Sequence, residues 1–260
     1  MFLKDVIIEE NRELKPGNYL MSFRDKEIAD ESKIGQFLEL KAGSGIENLL
    51  RKPISINDVD GDKVTIIYRV VGKGTKKLSD YKPGEKISVL GPLGNSFPEI
   101  TDKEVIIVAG GIGCGPFSYV MRKLPNWKIF YGIKDACEFL LEDTLKEHES
   151  TGKAVITTDN GSYGEKGFVT SKVEEYIKEN SKEKVIFACG PEIMMKKVQE
   201  IAIKYGVEGY LSLEEYMGCG IGACVGCVKK IKNSEKESGW EYKKVCKDGP
   251  IFKADEVIWE

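Results

Sequence analysis

Four cysteines carry the most specific chemical signal in the chain. Three stand in Met217-Gly-Cys219-Gly-Ile-Gly-Ala-Cys224-Val-Gly-Cys227, and the fourth, Cys246, follows after eighteen intervening residues. Thiolates are soft donors suited to iron and zinc. A C-x4-C-x2-C run followed by a distant cysteine is the spacing that holds a plant-type two-iron two-sulfur cluster. Gly218, Gly220, Gly222 and Gly226 are interleaved with the thiols. Without Cβ atoms the backbone wraps closely, and its N–H groups can face anionic sulfur. Two rivals stay open at this point. Structural zinc usually takes paired C-x2-C knuckles, and only one such pair is present. Cys224-Val-Gly-Cys227 also has the form of a dithiol redox motif, which leaves Cys219 without a role. Cys219, Cys224, Cys227 and Cys246 are the candidate metal ligands, and Cys114, Cys137 and Cys189 are excluded from the set.

Two loops have the composition of a dinucleotide site. Val105-Ile-Ile-Val-Ala-Gly-Gly-Ile-Gly-Cys-Gly-Pro116 reads as a buried strand, a Gly-rich turn and the start of a helix. Glycine allows close approach to a pyrophosphate, and a helix N-terminus favours anions. The spacing departs from G-x-G-x-x-G, so a plain tight turn is the rival reading. Phe187-Ala-Cys-Gly-Pro191 ends a second strand. In a sheet of order 3-2-1-4-5 these two strands are neighbours, and their carboxyl ends flank the crevice where ligands bind. Gly110, Gly111, Gly113, Cys189, Gly190 and Pro191 are therefore candidate cofactor contacts. Cys189 lies near the nicotinamide ring, or else is a small buried residue. Gly132-Ile-Lys-Asp-Ala-Cys-Glu138 offers one cation, Lys134, beside Asp135 and Glu138. That favours NAD over NADP, whose 2′-phosphate wants an Arg-rich pocket.

The single histidine, His148, reads as a solvated helix residue. Its isolation excludes His-based triads and His-based metal sites. Flavin and nicotinamide chemistry needs no such base, because the cofactor performs it. No residue is assigned a catalytic role. The charge balance, 39 basic against 42 acidic residues, has no basic block that asks for nucleic acid. No apolar run approaches the ~20 residues of a membrane helix. The first ten residues carry charges within their apolar stretch and read as a strand, not a signal peptide. The expectation is a soluble cytoplasmic protein without disulfides.

These residues need elements to position them. Leu3–Ile8, Tyr19–Phe23, Phe37–Lys41, Ile54–Asn57, Val64–Val71 and Lys86–Leu90 are short, β-branched and bounded by turn residues. Six strands without a long helix predict a closed antiparallel barrel or a sandwich. After Gly91-Pro-Leu-Gly94 the rhythm changes. Strands at Val105–Ala109, Lys128–Tyr131, Ala154–Thr157, Val185–Ala188 and Glu208–Leu211 alternate with helices at Phe117–Leu124, Glu138–Glu149, Val169–Asn180 and Glu192–Tyr205. This predicts a five-stranded parallel, doubly wound α/β unit. The Cys- and Gly-rich tail is too small to build a core alone, so a metal centre is expected to supply its fold. The predicted units are 1–98, 99–212 and 213–260.

Arg51-Lys-Pro-Ile-Ser-Ile56 and Tyr68-Arg-Val-Val-Gly-Lys-Gly-Thr75 would alone be a basic turn and a strand end. A barrel followed by a Gly-rich sheet unit with a C-G-P loop is the order found in ferredoxin reductase-like flavoproteins. The whole chain resembles the electron-transfer subunit of class 1B, NAD-dependent dihydroorotate dehydrogenase. The matching segments are Lys52-Pro-Ile-Ser55, Ile67-Tyr-Arg69, Gly74-Thr75, Gly91-Pro-Leu-Gly-Asn95, Asp159-Asn-Gly-Ser-Tyr-Gly-Glu-Lys-Gly-Phe168, Cys189-Gly-Pro191, Ser212-Leu-Glu-Glu215, the cysteine loop and Val245-Cys-Lys-Asp-Gly-Pro250. Cys246 falls where that family has its fourth ligand.

The resemblance implies a role in pyrimidine biosynthesis. A partner catalytic subunit oxidises dihydroorotate on its own FMN, and electrons pass through a [2Fe-2S] cluster and FAD to NAD+. The implied assembly is a heterotetramer of two of each subunit, docked through the cluster unit, with Gly218, Ile221 and Ala223 at the partner face. Lys52, Pro53, Ile54, Ser55, Ile67, Tyr68, Arg69, Gly74 and Thr75 are the implied FAD contacts, the cations meeting the pyrophosphate. Three positions depart from the family pattern. Lys52 stands in place of an arginine, which leaves Arg51 as the alternative cation. Cys114 replaces a small apolar residue, and Tyr216 a basic one. An NADH-dependent reductase component feeding an oxygenase or another acceptor would use the same modules, and a zinc-stapled binding protein is the non-enzymatic alternative.

Overall fold

Alternating apolar residues fold the first part of the chain into a barrel. The computed structural model describes residues 1–43, 48–180 and 183–259. The first elements are β1 (Phe2–Lys15), β2 (Asn18–Arg24), α1 (Lys26–Glu31), β3 (Phe37–Leu40), β4 (Lys52–Asp60), β5 (Lys63–Arg69), α2 (Lys73–Asp80) and β6 (Lys86–Leu93). The six strands close in the order β1-β2-β5-β4-β3-β6, all neighbours antiparallel. Val6, Met21, Phe23, Leu38, Leu40, Ile56, Ile66 and Val89 fill the inside. All four residues of β3 are buried, so this strand is covered on both faces. The sequence predicted a strand end through Thr75. The structure instead stops β5 at Arg69 and starts α2 at Lys73. The Thr75 hydroxyl makes this possible, accepting from the N–H groups of Val71 (2.9 Å) and Gly72 (3.2 Å) at the helix start.

The second part is a doubly wound sheet. Its elements are β7 (Glu104–Gly110), α3 (Phe117–Lys123), β8 (Trp127–Ile133), α4 (Glu142–Glu149), β9 (Ala154–Thr158), β10 (Glu165–Lys166), α5 (Val169–Glu179), β11 (Lys184–Cys189), α6 (Glu192–Tyr205) and β12 (Glu208–Ser212). The five predicted strands are parallel and in the predicted order, β9-β8-β7-β11-β12. Two further strands flank them, the two-residue β10 beside β9 and a tail strand beside β12. Residues 105, 107 and 109 of β7 pack with α3 and α4, while 106 and 108 pack with α5 and α6. The helix predicted over Glu138–Glu149 is shorter. Asp135 caps a single 3-10 turn over Ala136–Glu138, and Phe139, Leu140 and Leu141 then turn inward before α4 begins. His148 packs edge-on against Trp127, with ring centroids 4.9 Å apart.

The tail forms the hairpin β13 (Val228–Lys232) and β14 (Trp240–Lys244), then β15 (Ile251–Lys253), which pairs antiparallel with β12. Asn95, just past β6, ties the barrel exit to this tail. Its Nδ2 donates to the carbonyls of Asp248 (3.0 Å) and Ile251 (2.8 Å), and its Oδ1 accepts from Ile251 N–H (2.9 Å). At about 1 kcal/mol each, such bonds fix orientation more than they add stability. Among the described residues, no helix is long and apolar enough to cross a membrane.

Candidate functional site

A cleft of about 1070 Å³ opens at the carboxyl ends of the parallel strands. Its walls include Gly110, Gly111 and Gly113 after β7, and Gly190 and Pro191 after β11. β7 and β11 are direct neighbours, with Ala109 opposite Cys189, so the two loops rise side by side. Arg69 from the barrel and Ser212, Leu213 and Glu214 after β12 complete the walls. This is the predicted switch-point crevice.

The glycines divide into two kinds. A Cβ on Gly113 would stand 2.6 Å from the carbonyl carbon of Cys189 and from Cα of Gly190. A Cβ on Gly110 would stand 2.7 Å from Sδ of Met194 and Cδ of Pro191. Both positions are glycine because the two loops pack on each other. Gly111 differs. Its φ is +53°, and the nearest atoms to an added Cβ are Arg69 Nη2 and Glu138 Oε2, each at 3.9 Å. It faces the cleft.

Arg69 supplies the strongest polar feature. Its Nε donates to Asn18 Oδ1 at 2.9 Å, and its Nη2 lies 3.8 Å from Glu138 Oε2. The buried Nη2 has no hydrogen-bond partner among the described residues. A guanidinium donor without a hydrogen-bond partner, on a residue that lines the cleft, fits a phosphate or carbonyl oxygen. Glu214 lines the same cleft as an exposed residue. Partial desolvation by the cleft walls raises its carboxyl above the usual range, and Arg69 pulls in the opposite direction. Lys134, Glu138 and Asp159 line the cleft as well. Asp135 is occupied locally, its Oδ1 accepting from Cys137 N–H at 2.8 Å. Cys189 is 2% exposed, and burial pushes its ionisation far up against an opposing pull from Ser212. It does not border the cleft. Cys114 is likewise buried, bonded to the Tyr131 hydroxyl and pushed up to about 12.

The predicted FAD contacts lie on the barrel face toward these loops. Lys52, Pro53, Ile54 and Ser55 on β4 are half-buried. Ser55 faces the glycine turn, its Cβ 3.9 Å from where a Gly115 Cβ would stand. Asn57 Nδ2 fastens the same turn, donating to Gly115 O at 2.8 Å and Ser118 Oγ at 3.1 Å. The Lys52 stem packs on Gly74 of α2, where a Cβ would collide with it, so Lys52, Gly74 and Thr75 converge. Lys52 Nζ donates to Leu50 O at 2.9 Å. The Arg51 fork is committed to the barrel wall: Nη1 donates to Ser88 O at 2.9 Å and Glu39 O at 3.2 Å, and Nη2 to Ser88 Oγ at 3.0 Å. Ile67 and Tyr68 are core residues, 4% and 1% exposed. The Tyr68 ring stacks on Tyr19 and its hydroxyl donates to Asn11 Oδ1, so its side chain turns away from the cleft. The unpartnered Arg69 donor and the Lys52–Gly74 contact fit a flavin dinucleotide with a phosphate-bearing arm.

The cysteine loop stands beside β3. Cys227 and Cys246 are buried, and Cys219 and Cys224 are half-buried. Backbone amides point at the sulfurs: Gly222 N–H to Cys246 Sγ at 3.2 Å, Cys224 N–H to Cys219 Sγ at 3.4 Å, and Cys246 N–H to Cys227 Sγ at 3.5 Å. Amides of Cys224, Ile221 and Ala223 draw Cys219 down to about 6, the environment of a thiolate. The C-x4-C-x2-C spacing with a distant fourth cysteine suits two irons, while structural zinc usually takes paired C-x2-C knuckles. Within the loop Val225 is 72% exposed and Ile221 is also exposed, as are Tyr216 before it (95%) and Leu49 and Leu50 of the barrel unit.

Two acids were missed from sequence. Glu214 lay within the Ser212–Glu215 match with no role assigned. Glu39 interrupts the apolar run Phe37-Leu-Glu-Leu40 and is 1% exposed, with neither carboxyl oxygen hydrogen-bonded. A lone acid in a short apolar strand was the available signal.

Comparison with known proteins places these features among relatives. Residues 214–258 match the family described as the iron-sulfur cluster binding domain of dihydroorotate dehydrogenase B, and residues 107–200 match the oxidoreductase NAD-binding domain. The chain is 40% identical to the dihydroorotate dehydrogenase B (NAD(+)) electron transfer subunit of Caldanaerobacter subterraneus subsp. tengcongensis, over 96% of each chain. It is 39% identical to the subunit of the same name from Clostridium acetobutylicum, over 96% of this chain and 95% of that one. Among solved structures, one of an NADH-dependent reduced ferredoxin-NADP oxidoreductase superposes with a TM-score of 0.82 at 27% identity, covering 98% of this chain and 90% of that one. Phthalate dioxygenase reductase superposes with a TM-score of 0.66 at 17% identity, over 94% and 77% of the two chains, a likeness of fold alone.

Proposed function

The chain belongs to the family of dihydroorotate dehydrogenase B electron-transfer subunits, and we propose that it conveys electrons from a dihydroorotate-oxidising partner subunit to NAD+, with a [2Fe-2S] cluster and FAD as its carriers. One observation carries the reading: the cysteine loop, with backbone amides pointing at Cys219, Cys227 and Cys246, packs on the barrel strand next to the one bearing Lys52–Ser55. The cluster supplies single-electron exchange and the flavin supplies hydride exchange with nicotinamide. This chain's residues bind and orient. Cys219, Cys224, Cys227 and Cys246 would ligate the cluster. Lys52, Pro53, Ile54, Ser55, Ile67, Tyr68, Arg69, Gly74 and Thr75 would hold FAD, with Ile67 and Tyr68 contributing backbone and barrel shape. Gly111, Gly190 and Pro191 would border NAD, with Gly110, Gly113 and Cys189 shaping the loops behind them.

In this reading residues 1–98 form the flavin barrel, 99–212 the nucleotide unit and 213–260 the cluster unit. The partner carries FMN, and two copies of each subunit assemble. Docking takes place over the exposed loop, at Gly218, Ile221 and Ala223, with Tyr216 and Val225 beside them. The apolar side chains there suit a protein face. The test is reconstitution. The purified chain is assayed for flavin, iron and acid-labile sulfide, then mixed with dihydroorotate and NAD+, with and without the catalytic subunit. Orotate should form only with both subunits. Orotate from the isolated chain refutes the subunit role.

The whole-length likeness to the ferredoxin-NADP oxidoreductase structure favours a second reading, exchange between NADH and a ferredoxin-type carrier. Its 27% identity stands below the 40% of the first. A chain that does not associate with a dihydroorotate-oxidising subunit, yet reduces a ferredoxin from NADH, decides for it.

A further inference from the structure

We propose that the carboxyl of Glu39 sets the reduction potential of the cluster held by the cysteine loop, keeping it low. The proposal rests on the cluster reading above. On β3, Leu38 and Leu40 point into the barrel, while Phe37 points the other way, into the core that contains Cys227 and Cys246. Glu39 has the parity of Phe37 and so faces the cluster unit. A Cβ on Gly220 would stand 2.5 Å from Glu39 Oε1 and 3.0 Å from its Cδ. Only glycine at 220 lets the loop close over the acid, one residue from Cys219.

The carboxyl is buried without a hydrogen-bond partner on either oxygen. A leucine or glutamine would sit there at lower cost, because an unpaired buried charge is expensive. The cations nearby are only partly available to it. Arg51 gives its donors to Ser88 and to the backbone carbonyl of Glu39, and Lys52 gives its ammonium to Leu50. Burial pushes the carboxyl up to about 7, Arg51 and Lys52 pull it down, and Cys219 pushes it up again. Negative charge at this position opposes the arrival of an electron at the cluster. At an effective dielectric constant of about 20, one unit charge beside the loop changes a one-electron equilibrium by about tenfold or more, and tenfold is 59 mV.

The experiment is an anaerobic redox titration of the full chain at pH 8, followed by visible and EPR spectra, for the parent, Glu39→Gln and Glu39→Asp. Iron and sulfide are measured first, and a parent without them fails the cluster reading itself. Glu39→Gln should raise the cluster midpoint by about tenfold in the reduction equilibrium, Glu39→Asp should stay near the parent, and the flavin midpoint should move less than the cluster's. Glu39→Met, similar in volume and uncharged, reads the same shift by a second route should the amide variant not fold. A loaded uncharged variant with an unchanged cluster midpoint overturns the proposal. So does a folded Glu39→Gln chain that has lost its cluster, since the carboxyl would then serve to hold the loop.

Discussion

Replacing Gly113 by alanine tests whether the two nucleotide loops are locked together as the structure has them. The new Cβ would stand 2.6 Å from two backbone atoms, the carbonyl carbon of Cys189 and Cα of Gly190. Backbone cannot rotate away, so the loops must separate by several tenths of an ångström. Overpacking of this kind costs about 1–3 kcal/mol. For a chain of this size each kcal/mol lowers Tm by roughly 2–4 °C. Gly110→Ala provides the contrast. Its Cβ meets Met194 Sδ, the far end of a flexible side chain, and the Pro191 ring edge, so its effect should be the smaller. Gly111→Ala adds no clash but places alanine at φ +53°, costing about 1–2 kcal/mol. Thermal unfolding and NADH titration of the flavin are recorded for all three. Gly113→Ala should show the lowest Tm and about tenfold weaker NADH binding, because Gly190 borders the cleft. A Gly113→Ala chain with the Tm and NADH affinity of the parent, or one more stable than Gly110→Ala, refutes the loop-on-loop account.

Serine at Cys219, Cys224, Cys227 or Cys246 should strip or destabilise the cluster, read as lost iron, sulfide and visible absorbance, while serine at Cys114, Cys137 or Cys189 leaves them unchanged. Arg69→Gln removes the unpartnered donor in the cleft. A lost charge-assisted bond of about 1.5–3 kcal/mol weakens FAD or nucleotide binding roughly 10- to 150-fold by fluorescence titration. The cleft walls partly desolvate the exposed Glu214 and raise its carboxyl, so the folded chain prefers it protonated and loses that stability as pH rises through the raised value. Glu214→Gln should therefore gain a small Tm increment over the parent at pH 8 and lose it toward pH 5; an equal gain at both counts against the desolvation argument. NADH should reduce the flavin faster than NADPH at equal concentration, since Lys134 stands in the cleft with Glu138 and Asp159.

Local chemistry was legible in the sequence where it is carried by spacing. The cysteine loop spans nine residues, and the glycine turns sit at strand ends that hydrophobic runs announce. Five parallel strands followed from β-α-β alternation, while their order was supposed from the common doubly wound arrangement. What was not legible depends on contacts distant in sequence. Barrel closure rests on β1 pairing with β6, Phe2 opposite Gly91, which no local pattern encodes. α2 begins Gly72-Lys-Gly-Thr75, a poor helix signal by propensity, and forms because a threonine hydroxyl satisfies the first amides. β15 has only three residues and exists through its pairing with β12. Glu39 was marked only as a lone acid in a short apolar strand, and a strand buried on both faces shows no alternation to say which way it points.

The cluster unit was expected to owe its fold to metal, and the structure assigns much of that work elsewhere. Ile231, Val245, Phe252 and Val257 are 0–5% exposed, packed in the core shared with α5 and α6. Four such side chains contribute roughly 6–12 kcal/mol as an upper estimate. Gln199 of α6 adds a bond to Val257 O at 2.8 Å, another to Ala254 O, and one from Trp259 at 2.7 Å. These anchors all lie outside residues 217–227. Within that loop the only buried residues are Gly220 and Cys227, so the loop has little apolar surface of its own to hold it. The hairpin and β15 are thus docked by ordinary packing, and what the metal has left to order is the loop. Docking by packing fixes Cys227 and Cys246 in the core beside Phe37, while Cys219 and Cys224 ride on the segment that closes over Glu39. Two of the proposed ligands are therefore set by the fold, and the other two by a loop whose approach to the barrel depends on a glycine beside a buried acid.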